Sequence, residues 1–167
     1  YCTTKIVVQQ FLAHNRVDWT LMFLQSESTF IFGLASFWIS RESSEPRWKQ
    51  CGLKAKEAMR EWTKSSKWNF EHKFLLLDAE NNFCDGNVEQ ATILYEKAIK
   101  SAEEHRFVNG EALACELAGY FYLDLGEKIT AKKYFVKAHE AYELWGALGK
   151  AAILNEEIEK ELNTSVR

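Results

Sequence analysis

The chain has 167 residues, 47% hydrophobic and 14% aromatic, with a formal net charge of -3. A sequence of this size and composition is long enough for one domain that buries about 70% of its unfolded surface, which marks it as globular. Its charges are interspersed, without the basic footprint of a nucleic-acid binder, and its four cysteines, Cys2, Cys51, Cys84 and Cys115, form no C-x-x-C pair. They read as buried reduced thiols in a cytoplasmic setting rather than as a disulfide frame.

Because the first residue is Tyr1 rather than Met, the segment is expected to be a piece of a longer chain. Residues 1–27 read as an N-terminal helical segment without a clear copy of any repeat. The most apolar stretch, residues 19–38, is interrupted by Gln25, Ser26, Glu27 and Ser28. A membrane-spanning helix needs about 20 mostly apolar residues without such a break, so two buried segments are expected here, and no membrane insertion.

Downstream the sequence repeats at an offset of 40. Gly86 matches Gly126, Ala91 matches Ala131, Tyr95 matches Phe135, and Ala98 matches Ala138. One step further back stand Pro46 in place of the glycine, then Cys51, Ala55 and Ala58. With one proline in the chain and apolar residues at helical spacing, each unit reads as a helical hairpin whose glycine ends the first helix. The expected organisation is one domain, 1–167: a degenerate hairpin at 28–66, hairpins at 67–106 and 107–146, and a capping helix at 147–164. Asn87 is placed to cap the second helix of the first clear hairpin.

Such hairpins cannot bury their apolar faces alone, so they stack. In the last helix Ala152 and Ile153 are expected to turn inward with Leu154 beside them. Glu156, Glu157, Glu159, Lys160 and Glu161 would leave its other side solvated.

The stretch "WGALGKAAIL" carries two glycines and a lysine. A phosphate-binding loop needs G-x-x-x-x-G-K-[ST] after a strand, whereas Gly146 and Gly149 are two residues too close and Ala151 replaces the hydroxyl. The 40-residue register lays Gly149 on Asn109 and Asn69, read as N-cap residues, with Leu148, Val108 and Trp68 as the apolar residues before them. Gly146 then ends the preceding helix in a left-handed conformation, with Trp145 pinning the corner to the core. In this reading Lys150 has no structural task.

Among His14, His72, His105 and His139 no phosphotransfer context or metal-ligand set appears, although His139 and Glu143 stand four apart. The glutamates lie on helix faces and near helix starts rather than in a two-carboxylate constellation. No catalytic residue, metal site or cofactor is therefore assigned.

The small–aromatic–small pattern on the second helix, with a glycine between helices and with Gly119 and Tyr122 on the first, resembles the tetratricopeptide repeat. That repeat has a usual spacing of about 34. The phrases Asn69-Phe70 with His72-Lys73, Glu111 to Ala114, and Tyr142 with Trp145-Gly146-Ala147 and Lys150 resemble the helical-repeat region of large multidomain signalling proteins, in which predicted ATPase, serine-threonine kinase and hybrid sensor histidine kinase modules flank it.

The resemblance implies an all-α superhelix of stacked TPR-like hairpins, acting as a non-enzymatic scaffold that couples neighbouring domains or binds a protein partner. An independent module for a peptide or small effector is the alternative. A phosphotransfer bundle using an exposed His72 is a third. First helices of such hairpins line a concave surface, which in this register comprises Lys73, Leu76, Glu80 and Phe83, then Leu113, Glu116, Tyr120 and Leu123.

Overall fold

The computed structural model describes residues 22–43 and 45–163. Among them are seven helices and no strand: α1 Met22–Glu42, α2 Pro46–Ser65, α3 Lys67–Cys84, α4 Val88–Glu104, α5 Val108–Asp124, α6 Lys128–Trp145 and α7 Leu148–Asn163. The expected segment 1–27 lies outside the described residues except at its end, which belongs to α1.

α1 runs unbroken through Gln25 to Ser28, where the sequence pointed to a break. None of these four residues is a helix breaker. The Ser28 hydroxyl donates to the Leu24 carbonyl one turn back, Ser26 is buried, and Glu27 meets Lys73 of α3.

The chain divides into two compact units, one ending at Leu94 and the other beginning at Tyr95. Their boundary falls inside α4, within the expected hairpin 67–106.

In the first unit α1 packs on α2 and α3, and α2 packs on α3. A Cβ built on Gly33 of α1 would stand 2.8 Å from Ala55 of α2 and 2.8 Å from Leu77 of α3, so the lack of a side chain there lets three helices converge. Around that point Phe30, Phe37, Met59, Leu76 and Ala79 are buried, while Ile39 and Trp48 make a cluster with Phe32 and Ala35. Pro46 occupies the first turn of α2, where its missing N–H costs nothing, rather than a corner equivalent to Gly86. α2 turns Trp48, Gly52, Ala55 and Met59 inward; of the expected small-residue face Ala55 is buried, while Cys51 and Ala58 are half-buried.

From α3 onward the corners share one construction. Gly86, Arg106, Gly126 and Gly146, spaced 20 residues apart, all have positive φ, at 73°, 61°, 79° and 86°. At each, the N–H of that residue and of the next close back on the helix just ended. Gly86 bonds Phe83 and Asn87 bonds Asn82; Arg106 bonds Glu103 and Phe107 bonds Ala102. Gly126 bonds Leu123 and Glu127 bonds Tyr122; Gly146 bonds Glu143 and Ala147 bonds Tyr142. This pair of bonds is the Schellman motif, which satisfies carbonyls otherwise orphaned at a helix end.

The residue after each corner then starts the next helix with its own carbonyl, accepting from Ala91, Glu111, Ala131 and Ala151 respectively. Asn87 therefore does stand at the start of α4. Asn69, Asn109 and Gly149, expected as N-caps, lie instead within the first turns of α3, α5 and α7. The connections before α3, α5 and α7 are one, three and two residues long, so each helix has already begun when these positions are reached.

In the second unit α5 packs on α6 and α6 on α7. Ala98, Ala118, Ala131 and Ala138 are fully buried, and so in effect are Tyr95, Phe121 and Phe135. The Tyr95 and Phe121 rings lie 5.0 Å apart, and Tyr122 stacks on Tyr134 at 5.1 Å. Phe135 fills the space over Gly119, where a Cβ would come within 2.5 Å of the ring. The repeat positions Ala91, Tyr95, Ala98, Ala131, Phe135 and Ala138 all face the core, as their spacing predicts.

Candidate functional site

Of the eight residues read from the sequence as a concave binding surface, Leu76, Glu80 and Glu116 are buried and the other five are half-buried. In the first unit α1 lies against α3. Lys73 reaches Glu27 and lies near the rings of Phe30 and Phe70, at 5.8 and 5.9 Å. Leu76 is buried in the core. Glu80 is buried and takes Arg41 of α1 at 2.5 Å, and the same guanidinium lies 4.5 Å from the Phe83 ring. α2 ties to the other side of α3 through Lys56 to Asp78 at 2.9 Å and through Lys49 to Asp85. α3 is thus held by ion pairs from both α1 and α2.

In the second unit Leu113, Tyr120 and Leu123 are half-buried and Glu116 is buried. Tyr120 packs edge-on against Phe135 at 5.1 Å. Glu116 accepts a hydrogen bond from the Tyr142 hydroxyl at 2.6 Å and pairs with Lys150 at 2.7 Å. One carboxylate therefore ties α5 to both α6 and α7. Burial, and then the bond to the Glu116 carboxylate, hold the Tyr142 phenol well above its ordinary value. It stays protonated and donates.

Lys150 consequently has a structural task, contrary to the sequence reading. Its ammonium neutralises Glu116 and lies 5.8 Å from the Tyr142 ring. No local spacing signals this, since the partners are 34 residues apart. Arg41 and Glu80 escaped notice for the same reason, being 39 apart.

Two further expectations are corrected. Trp145 is exposed rather than pinned to the core, because the left-handed turn at Gly146 follows it directly and directs α7 elsewhere. On α7 the inward residues are Ala151 and Leu154, with Ala152 and Ile153 facing solvent. With the helix beginning at Leu148, the three-residue step from Ala151 to Leu154 sets the buried side.

His72 is buried, unlike the exposed histidine a phosphotransfer helix requires. His139 lies 3.7 Å from Glu143 and 3.0 Å from the Asn155 amide. Among the described residues no three His, Cys, Asp or Glu side chains are grouped closely enough to hold a metal ion. Burial pushes the Cys115 thiol up to about 12, with Glu111 adding to the effect, and burial also raises Cys84. Neither sulfur is poised as a nucleophile, which requires the thiolate. Among the described residues no helix is long and apolar enough to cross a membrane.

Two comparisons with known proteins return nothing: no protein-family model matches the chain, and no solved structure matches it. A stretch of 62 residues, 37% of the chain, is 37% identical to Hybrid signal transduction histidine kinase G of Dictyostelium discoideum. That stretch spans 2% of the kinase's length, so the likeness is to a short part of a very large signalling protein.

Proposed function

We propose that this chain is a non-catalytic helical scaffold within a multidomain signal-transduction protein, where TPR-like hairpins hold neighbouring domains at a fixed separation. The observation that carries the reading is the run of four identical corners at a 20-residue step, in a chain whose known likeness is to a small part of a hybrid histidine kinase. Within each unit, packed helix pairs, α1 on α2 and α3, α2 on α3, α5 on α6 and α6 on α7, suit a support that passes displacement from one element to the next. The charged side chains inside the two units bind one another rather than facing a cleft, which suits support better than turnover.

The test is the message that encodes the segment, sequenced through both of its ends. A kinase catalytic loop or an ATPase nucleotide-binding motif upstream, or a histidine-kinase module downstream, is the expected result. A reading frame carrying none of these overturns the proposal. As a second check, purified chain incubated with ATP should show neither hydrolysis nor phosphorylation of any histidine.

A further inference from the structure

Past its acidic N-cap residue Glu127, α6 is charged against its own dipole. Its first turn has no acidic residue and its last turn no basic one. Its exposed face begins with Lys132 and Lys133 and ends with Glu140 and Glu143. A helix N-terminus favours negative charge and a C-terminus positive charge, so this order costs the isolated helix stability. Among the described residues Lys132, Lys133 and Glu140 form no ion pair, whereas Glu143 has only His139 at 3.7 Å.

The same face is apolar in between. Ile129 is 79% exposed, Val136 46% and Leu144 77%. Spacings of seven and eight residues hold the three within about 80° of arc on one side of the helix. Lys133 and Glu140 fall on that same side.

We infer that the exposed face of α6 is a self-association surface, occupied by α6 of a second copy of this chain lying antiparallel across a two-fold axis near Val136. The argument is charge complementarity. An acidic peptide would be repelled by Glu140 and Glu143, and a basic one by Lys132 and Lys133. A parallel copy would set like charges side by side. An antiparallel copy supplies the reversed order by symmetry, because a two-fold contact uses one patch twice.

About that axis Ile129 meets Leu144 of the partner subunit and Leu144 meets the partner's Ile129. Lys133 stands opposite the partner's Glu140, and Glu140 opposite the partner's Lys133. Lys132 and Glu143 pair across one flank in the same sense. Lys137, on the other flank, is close enough to Glu111 of α5 to interact with it electrostatically and needs no partner across the axis. One helix face lies at the small end of the interface range, below about 1,200 Å², so the dimer is weak and populated at high local concentration. This inference does not depend on the proposed scaffold function.

Sedimentation equilibrium of the 167-residue chain over a concentration series tests it. The wild type should shift from monomer to dimer without larger species. Lys133→Glu and Glu140→Lys should each weaken association by about tenfold, since every dimer loses two pairs. The double variant Lys133→Glu/Glu140→Lys should recover it, because both pairs re-form with their signs exchanged. Both side chains are exposed, so folding is preserved and circular dichroism should be unchanged. A wild type that stays monomeric overturns the inference, as does a dimer indifferent to the single reversals. Single reversals that weaken it without recovery in the double variant point to a contact of another geometry, and overturn it too.

Discussion

The Lys150 ammonium sits 2.7 Å from the carboxylate of Glu116, a residue buried between helices and 34 positions away in sequence. Because Tyr142 donates to the other oxygen of that carboxylate, the charge is both paired and hydrogen-bonded, which is the condition for burying it. Lys150→Ala leaves Glu116 with the phenol alone. It should lower stability by about 1–2 kcal/mol, the partial exposure of the ammonium keeping the loss below that of a fully buried pair. Tyr142→Phe should cost about 1 kcal/mol. Denaturant melts of the two single variants and the double variant measure this, and losses that add without coupling would contradict a shared carboxylate.

Arg106 and Gly146 occupy the same place in the corner motif, yet only one has a side chain. At φ 61° Arg106 holds a conformation that costs a non-glycine residue about 1 kcal/mol, whereas Gly146 at φ 86° holds it freely. Arg106→Gly should therefore raise stability by up to about 1 kcal/mol, offset in part by the added freedom of the unfolded chain. Gly146→Val should lower it by more than about 1 kcal/mol, since a β-branched residue resists positive φ. A Cβ on Gly146 meets nothing within 4 Å, so the loss would be conformational rather than steric. Paired thermal melts showing both substitutions neutral would contradict the motif.

The part of the fold legible in sequence is the part set by local rules. The 40-residue register located Ala91, Tyr95, Ala98, Ala131, Phe135 and Ala138 on the buried side, and Gly86, Gly126 and Gly146 at corners. It missed that the true step is 20, because Arg106 does a glycine's task without a glycine's signature. A hairpin register says which residues share a face but not which other helix lies against it: α1 reaches Lys73 through Glu27 and Glu80 through Arg41. Counter-ions such as Arg41 and Lys150 come from distant positions, where periodicity carries no information.

Gly119 and Gly149 make a controlled pair of helical glycines. A Cβ on Gly119 would come within 2.5 Å of the Phe135 ring, which is buried and cannot swing aside, while a Cβ on Gly149 meets nothing within 4 Å. Gly119→Ala should cost about 1–3 kcal/mol as an overpacked core site. Gly149→Ala should be neutral or gain up to about 1 kcal/mol from helix propensity. A phosphate-binding role for Gly149 would demand the reverse ranking in any nucleotide-dependent readout. Thermal shift with and without ATP should show no nucleotide effect in either variant.

Cys115 contributes to the alkaline limb of the stability profile, alongside Tyr134 and Tyr142, whose phenols burial also raises. The thiol is buried and pushed up to about 12 in the folded chain, against about 9 for an ordinary cysteine. Since its folded value is raised, the unfolded chain loses its proton first as pH rises. The stability contributed by keeping the thiol neutral is fully present below about 9 and is lost progressively as pH climbs through about 12. Denaturant melts between pH 8 and pH 11 (about the range in which the unfolded thiol titrates) should show declining stability, and Cys115→Ala should flatten part of that decline. At neutral pH, alkylation of Cys115 should wait on unfolding, its rate rising in step with denaturant. Fast alkylation in the native state would mean that the site between α5 and α6 is open to solvent.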